Sequence, residues 1–290
     1  MQNRHGNRRT MNAVWLDSIT REVETIALKA GQYLRDERTR IGEEEIDEKG
    51  QGDLVSRADM TSEQMLTEAL HKLIPDSTIL AEEEHASLDA GGKEWRWIVD
   101  PLDGTLNYLQ GLPVYAVSIA LEHRENSTGE WGELLAGVVY LPELQVLYSA
   151  RRGAGAFRDG KPIRVREPKR LGRAVLATGF PFRNRERMEP FMALFSDVFL
   201  NVANVRRIGS AAADLCWVAD GTFHGFWELG LSPWDIAAGV VLIEEAGGTI
   251  TDFWGNPVLH TSYPLTATGE VYEFLAGTIR KHFPDPPERP

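Results

Sequence analysis

The apolar residues of this chain change their spacing twice, and that limits the fold more than any other feature of its 290 residues. From Ser18, the positions Ile19, Val23, Ile26, Ala27, Ala30 and Leu34 recur at helical intervals to about Arg38. A second helix, from near Ala58 to Lys72, carries Met65, Leu66, Ala69, Leu70 and Leu73 on one face and stops before Pro75. The spacing then becomes that of strands: Ser77 to Ala81, Glu94 to Asp100, Val114 to His123, Leu134 to Tyr140 and Gln145 to Ala150. Leu141-Pro142-Glu143-Leu144 is a turn joining the last two, so this sheet is expected to be antiparallel. Gly155 to Phe157 and Pro162 to Val165, around Asp159-Gly160, add a hairpin.

Beyond Arg170, strands and helices alternate: strand Ala174 to Thr178, helix Arg187 to Phe199, strand near Val205, helix Ser210 to Ala219 and strand Phe223 to Glu228. A helix from Ser232 to Ala246, strands at Thr249 to Asp252 and Leu265 to Thr268, and a helix from Glu270 complete the order. Strands grouped after helices predict an α+β fold. Residues 1–168 form the half with the antiparallel sheet and residues 169–290 an α/β half. No Pro/Ser linker, repeat or low-complexity tract separates them, so they are expected to pack as one unit. The polar first ten residues read as a disordered lead-in, RIGEEEIDEKGQGD as a mobile loop or hairpin, and Pro284 to Pro290 as a frayed tail.

Composition removes several function classes. A formal charge of −12 argues against affinity built on neutralising nucleic-acid phosphates. No window approaches the ~18 to 20 apolar residues of a membrane span, and the N-terminus lacks an apolar signal core. The cytoplasm is the simplest location. Cys216 is the one cysteine, in the apolar run Ala212 to Ala219, and is expected to be an inert core thiol.

Packing does not explain WIVDPLDGTLNY, residues 97–108. An apolar strand runs into Asp100, Pro101 ends ladder pairing, and Asp103-Gly104-Thr105 follows at once. Two carboxylates and the Leu102 carbonyl then share a small volume, which suits a hard cation such as Mg²⁺. Gly104 and Thr105 offer backbone N–H groups and a hydroxyl to a phosphate. The same letters also suit a plain turn in which Gly104 supplies positive φ and Asp100 caps it. Ser232-Pro233-Trp234-Asp235 raises a similar choice: it is a good capping box that needs no metal, yet Glu228 lies seven residues earlier at a strand end, the edge where ligands sit in α/β folds. Glu82-Glu83-Glu84 ends another strand, where a solvated acidic face is the ordinary reading. Ser56 and Asp59 also fit a capping box.

In combination, Glu82-Glu83, Asp100-Pro101-Leu102-Asp103-Gly104-Thr105-Leu106-Asn107 and Trp234-Asp235-Ile236-Ala237-Ala238-Gly239 leading to Glu245-Ala246-Gly247-Gly248 resemble the inositol monophosphatase family. That family belongs to a wider lithium-sensitive, Mg²⁺-dependent phosphatase superfamily. The similarity runs from about Ile19 to Lys281, and Ala177-Thr178-Gly179-Phe180-Pro181-Phe182 is similar to its bacterial members.

The resemblance implies a layered αβαβα sandwich with a metal site between the halves. It implies that Glu82, Asp100 and the Leu102 carbonyl hold one Mg²⁺, that Asp100, Asp103 and Asp235 hold a second, and that a weaker third ion lies near Glu82. Thr105, with Asp59 behind it, would orient the attacking water, and Lys49, in Lys49-Gly50-Gln51-Gly52-Asp53, matches the lysine of a mobile metal-site loop. Asp103, Gly104, Thr105 and Asp235 would contact substrate, with Glu228 accepting from a substrate hydroxyl, Gly209, Ser210 and Ala211 along the alcohol side and Arg206 close behind. Gly209-Ser210 is equally readable as a helix cap, and Arg206 as an ion-pair or dimer-contact residue. A homodimer is expected, from the family habit.

Other phosphatase chemistries fit the letters poorly. Cys216 is followed six positions later by Thr222 rather than Arg, Asp100 and Asp103 are three apart rather than two, and no pair of histidines stands at i, i+4. Metal-activated water acting on a small phosphate ester remains, with myo-inositol monophosphate the family default. Fructose-1,6-bisphosphatase, histidinol-phosphate phosphatase and 3′-phosphoadenosine-phosphate or NADP phosphatase are the enzymatic alternatives. A regulatory binding protein on the same fold is the alternative from another class, and a two-metal nuclease is disfavoured by the acidic composition.

Overall fold

The computed structural model describes residues 3–40, 46–50, 53–83, 93–124, 133–182, 184–260 and 263–286, with side chains for all of these except 3–12, 46–50, 53–56 and 260. In chain order the elements begin with α1 (Asn3–Arg38), β1 (Ile46–Gly50), β2 (Asp53–Ser56), α2 (Arg57–Leu73), β3 (Ser77–Ala81), β4 (Trp95–Asp103) and α3 (Thr105–Leu109). Then come β5 (Ala116–His123), β6 (Glu133–Leu141), β7 (Val146–Arg151), β8 (Gly155–Arg158), β9 (Lys161–Ile163), β10 (Val175–Thr178), α4 (Met188–Phe199), β11 (Asn204–Arg206) and α5 (Ala211–Ala219). The chain continues with β12 (Gly225–Trp227), α6 (Pro233–Glu245), β13 (Thr249–Asp252), β14 (Pro264–Ala267) and α7 (Gly269–His282).

Strands β3 to β9 form a seven-stranded sheet in sequence order, antiparallel except for the parallel β3–β4 pair. The second sheet has the order β11-β10-β12-β14-β13, with parallel pairing on one side of β12 and antiparallel on the other. The acidic stretch after α1 contains the antiparallel β1–β2 hairpin, as one of the two sequence readings required. The lead-in is different from the expectation: α1 begins at Asn3. Residues 3–12 carry no apolar period, but they contain no proline and a single glycine, so little interrupts a helix already formed downstream.

Burial on both faces of the large sheet explains its apolar strands. Trp97 and Val99 of β4 and Val117, Ile119 and Leu121 of β5 pack with Leu16, Ile19, Val23 and Leu34 of α1 and Leu66 and Leu70 of α2. The alternate residues Ile98, Ala116 and Ala120 pack with α5 and α6, whose other neighbours are Ala177, Phe226 and Ile250 of the second sheet. A third core joins that sheet to α4 and α7 through Phe191, Leu194, Trp227, Leu265, Leu275 and Ile279. The layers are therefore helix, sheet, helix, sheet, helix: an αβαβα sandwich.

As the central layer, α6 is buried from Asp235 through Ile243, which is why it is apolar all round rather than amphipathic. It approaches the large sheet so closely that a Cβ on Gly137 of β6 would lie 2.5 Å from the Ala238 carbonyl oxygen. Among the described residues, no helix is long and apolar enough to cross a membrane. Cys216 is fully buried, and burial pushes its thiol well above the usual range, so it is the inert core residue expected.

Candidate active site

The C-terminal end of β4 builds the centre of the site. In the β4–β5 ladder, Asp100 pairs with Ser118 and Asp103 with Ala116, so two residues of β4 face one of β5. Pro101 sits in that bulge, where its missing N–H costs no ladder bond. The Leu102 N–H turns back to donate to Asp100 Oδ1 at 3.0 Å, and Ser62 Oγ donates to the Pro101 carbonyl at 3.1 Å. Gly104 then takes φ 87°, and a Cβ there would lie 3.1 Å from the Gly209 carbonyl, so both conformation and space call for glycine. α3 begins at the next residue.

The structure brings Asp100, Asp103 and Asp235 together from distant positions: each offers a carboxylate oxygen within 4.8 Å of the others, and all three are buried. Asp103 is gripped by the start of α5, its Oδ2 accepting from Ser210 Oγ at 2.5 Å and from the Ala212 N–H at 2.8 Å. Asp235 is held by the capping box of α6, its Oδ2 accepting from the Ser232 N–H at 2.6 Å. Capping and site membership are thus compatible, since the carboxylate has a second oxygen.

Glu82 follows β3 and lines the same cleft, of ≈ 250 Å³. Its turn is fixed from α2, where buried Glu63 accepts the Glu83 N–H at 2.7 Å. Asp59, also in α2 and fully buried, lies 3.1 Å from Thr105 Oγ1, which is also 3.0 Å from the Leu102 carbonyl oxygen. One hydroxyl proton serves only one of these two acceptors at a time.

Electrostatics give the cluster its character. Asp100 Oδ2 is buried without a hydrogen-bond partner. Burial first, then repulsion from Glu82, Asp103 and Asp235, raises the Asp100 carboxyl well above the usual range. Leaving a charged oxygen buried and unpaired costs about 1–3 kcal/mol or more, and a divalent cation with oxygen preference removes that cost. The donor set fits such an ion: hard carboxylate oxygens, converging, one of them orphaned.

Most of the residues inferred from the sequence line this cleft: Glu82, Asp100, Leu102, Asp103, Gly104, Thr105, Gly209, Ser210, Ala211, Glu228 and Asp235. Asp59 reaches it through Thr105. Lys49 lies in β1, and its side chain is outside the described residues. Arg206 does not line the cleft; it is exposed and donates to the Val205 carbonyl, while its neighbour Arg207 faces the cleft instead. Arg206 ends β11, where successive side chains alternate in direction, so a one-residue slip points to the wrong face. Sequence reasoning also missed Arg185 and Phe182 on the rim, and Ser62 and Glu63 behind it. For the last pair a signal existed: Asp59, Ser62 and Glu63 continue the buried stripe of Leu66 and Leu70 at helical spacing.

Layer order and acidic cleft together match the αβαβα sandwich that the sequence resemblance implies. The chain belongs to the inositol monophosphatase family, whose model matches residues 15–283. It is 43% identical over 256 residues to the protein of Aquifex aeolicus (strain VF5) named fructose-1,6-bisphosphatase/inositol-1-monophosphatase, covering 88% of this chain and 93% of that one. It is 40% identical over 230 residues to the Nus factor SuhB of Vibrio cholerae serotype O1 (strain ATCC 39315 / El Tor Inaba N16961), covering 79% and 83%. Among solved structures, the extragenic suppressor protein suhB of Bartonella henselae superposes with a TM-score of 0.82 at 34% identity, covering 91% of this chain and 99% of that one.

Proposed function

We propose that this protein is a Mg²⁺-dependent phosphomonoesterase acting on a small polyol or sugar phosphate, with myo-inositol monophosphate as the reference substrate. The observation that carries this reading is the convergence of Asp100, Asp103 and Asp235 within 4.8 Å, with one Asp100 oxygen buried and unpartnered. Asp100, Asp103 and Asp235, with Glu82 and the Leu102 carbonyl beside them, would hold the cations. When bound, divalent cations supply positive charge that screens the phosphoryl oxygens and acidifies water.

The chain's own groups do the positioning. Asp59 holds Thr105 Oγ1 where it can orient a water molecule, and the pair accepts or relays its proton at that oxygen. Gly104 and Thr105 line the cleft, and their N–H groups would receive the phosphate. Ser210 and the Ala212 N–H keep Asp103 from rotating away, and Glu228, which follows β12 at the middle of the second sheet and lines the cleft, would accept from a substrate hydroxyl. Phosphate release from myo-inositol 1-phosphate, measured across a Mg²⁺ titration for the wild type and Asp100→Asn, tests the reading. Activity that saturates with Mg²⁺ and disappears in the variant is expected; wild-type protein that releases no phosphate from any polyol or sugar phosphate overturns it. The Vibrio cholerae relative's name favours a second reading, a regulatory binding protein on this fold, and the same assay separates the two.

A further inference from the structure

Strands β10 and β12 run parallel with Thr178 beside Trp227, and the Thr178 hydroxyl donates to the Trp227 carbonyl at 2.7 Å. One residue beyond each stand Gly179 and Glu228, both buried and both lining the cleft. A glycine at a strand end is ordinarily there for its backbone, because it enters positive φ at little cost. Gly179 does not adopt that conformation. Its constraint is space: a Cβ built there would overlap Oε1, Cδ and Oε2 of Glu228. The missing side chain is the seat in which the Glu228 carboxylate lies.

The loops after these two strands repeat the arrangement with the roles exchanged. Gly230, two residues after Glu228, has φ +81°, and a Cβ there would overlap Asn184 Oδ1, from the loop after β10. Each loop thus places a polar side chain in the room left by the other's glycine, and the first of the two contacts brings a carboxylate to the cleft wall. Among the described residues, the converging cluster of Asp100, Asp103 and Asp235 does not include Glu228. A change at the seat therefore acts on the alcohol side of the cleft rather than on the carboxylates proposed to hold cations.

We propose that Gly179 is the positioning residue for alcohol selectivity: by omitting a side chain it fixes where the Glu228 carboxylate stands, and so makes the site prefer phosphate esters whose alcohol carries free hydroxyl groups. The inference rests on the phosphatase reading above, with Glu228 as the hydroxyl acceptor, and adds the residue that places that acceptor. A hydroxyl donating to a carboxylate makes a short, charge-assisted bond that weakens steeply when distance or angle is lost. A methyl group at position 179 must move the acceptor out of its seat.

The test measures wild type, Gly179→Ala, Glu228→Ala and the double variant in saturating Mg²⁺ on two esters. One is myo-inositol 1-phosphate, or whichever polyol or sugar phosphate the wild type turns over fastest; the other is p-nitrophenyl phosphate, which has no alcohol hydroxyl. Gly179→Ala should lower kcat/KM for the polyol ester about tenfold more than for the aryl ester, mainly through KM. With Glu228→Ala already present, the same substitution should leave the ratio of the two esters where it was, because no carboxylate remains to displace. A wild type with no preference for the polyol ester, a Gly179→Ala protein that keeps the wild-type ratio, or a ratio shifted equally with Glu228 absent overturns the proposal. If Gly179→Ala does not fold, the double variant decides: folding restored by removing the Glu228 side chain supports the seat, and no restoration overturns it. If the wild type releases phosphate from no polyol or sugar phosphate, the phosphatase reading has failed. The placement is then read by calorimetric binding of myo-inositol 1-phosphate in MgCl₂: weaker binding by Gly179→Ala than by wild type supports it, and equal or absent binding overturns it.

Discussion

Asp100→Asn should make the protein more stable in chelator and less stable than wild type in Mg²⁺. The change is nearly isosteric, and Oδ1 can still accept the Leu102 N–H. At an effective dielectric of about 20, two full charges separated by the 4.8 Å bound on this cluster repel by about 3–4 kcal/mol. Proton uptake by Asp100 already relieves part of that repulsion, so the expected gain without cation is about 1–3 kcal/mol, or about 2–5 °C in Tm for a chain of this length.

The sign with pH follows. The folded-state Asp100 carboxyl lies above its unfolded value because of burial and its acidic neighbours. Its contribution therefore favours folding fully only below about pH 3.9 and is lost as pH rises through the folded value. In chelator the wild type should lose stability across that rise, while Asp100→Asn shows a shallower slope, so the gap widens towards neutral pH.

Adding Mg²⁺ at about a thousandfold excess over the wild-type dissociation constant stabilises the wild type by about 4.1 kcal/mol, more than the ~1–3 kcal/mol gained by the substitution, and the variant by much less, inverting the order. Differential scanning calorimetry of both proteins, in EDTA and in MgCl₂, reads all of this. A variant less stable than wild type in EDTA at neutral pH, or equal Mg²⁺ stabilisation of both, would refute the claim that these carboxylates are built around a cation.

Glu63→Gln weakens the acceptor of the Glu83 N–H and loosens the turn carrying Glu82; Mg²⁺ affinity from activity titrations should fall about 10–100-fold with little change in Tm. Gly137→Ala drives a methyl group against the α6 backbone at Ala238, so chemical denaturation should show a loss of about 1–3 kcal/mol, and activity should fall as α6 shifts Asp235. His224, just before β12, has its pKa lowered from 6.5, chiefly by burial with Arg166 adding to it, against the opposing Val175 hydrogen bond. Its neutral form therefore contributes stability above about pH 6.5 that is lost as pH falls through the folded value, and His224→Gln should flatten that acid limb in Tm measured against pH.

What could be read from the letters follows from how local each determinant is. Ser77 to Ala81 is a strand in the structure to the residue, and α2 ends within one residue of its reading, because a change of period marks an element wherever it lies. The three aspartates were legible because each stands at a strand end or helix start with a reason of its own: a proline that breaks pairing, or a capping box. Arg207 was not legible, because the choice between it and Arg206 depends on which way a three-residue strand is turned against β10, and no periodicity survives over so short a run. Arg185 opens a single 3₁₀ turn, Arg185–Arg187, too short to leave a periodicity, and α1 extends over residues whose polarity gave no pattern to follow.

The two halves are not separable at the level of chemistry. Asp103 comes from β4, yet the atoms that orient it belong to the first turn of α5. Asn107 of α3 donates one amide to both the Val114 and Ile208 carbonyls, at 2.8 and 2.9 Å, and so ties the loop before β5 to the loop that presents Gly209 and Ser210. Asp235 arrives on the helix that both sheets bury. A cluster of like charges would push these elements apart, and the apolar burial of α5 and α6 holds them together against it. The central layer of the sandwich is therefore both the core of the fold and the clamp that keeps mutually repelling carboxylates together, so, on the proposed metal-dependent reading, mutations that loosen α6 should weaken Mg²⁺ binding before they unfold the chain.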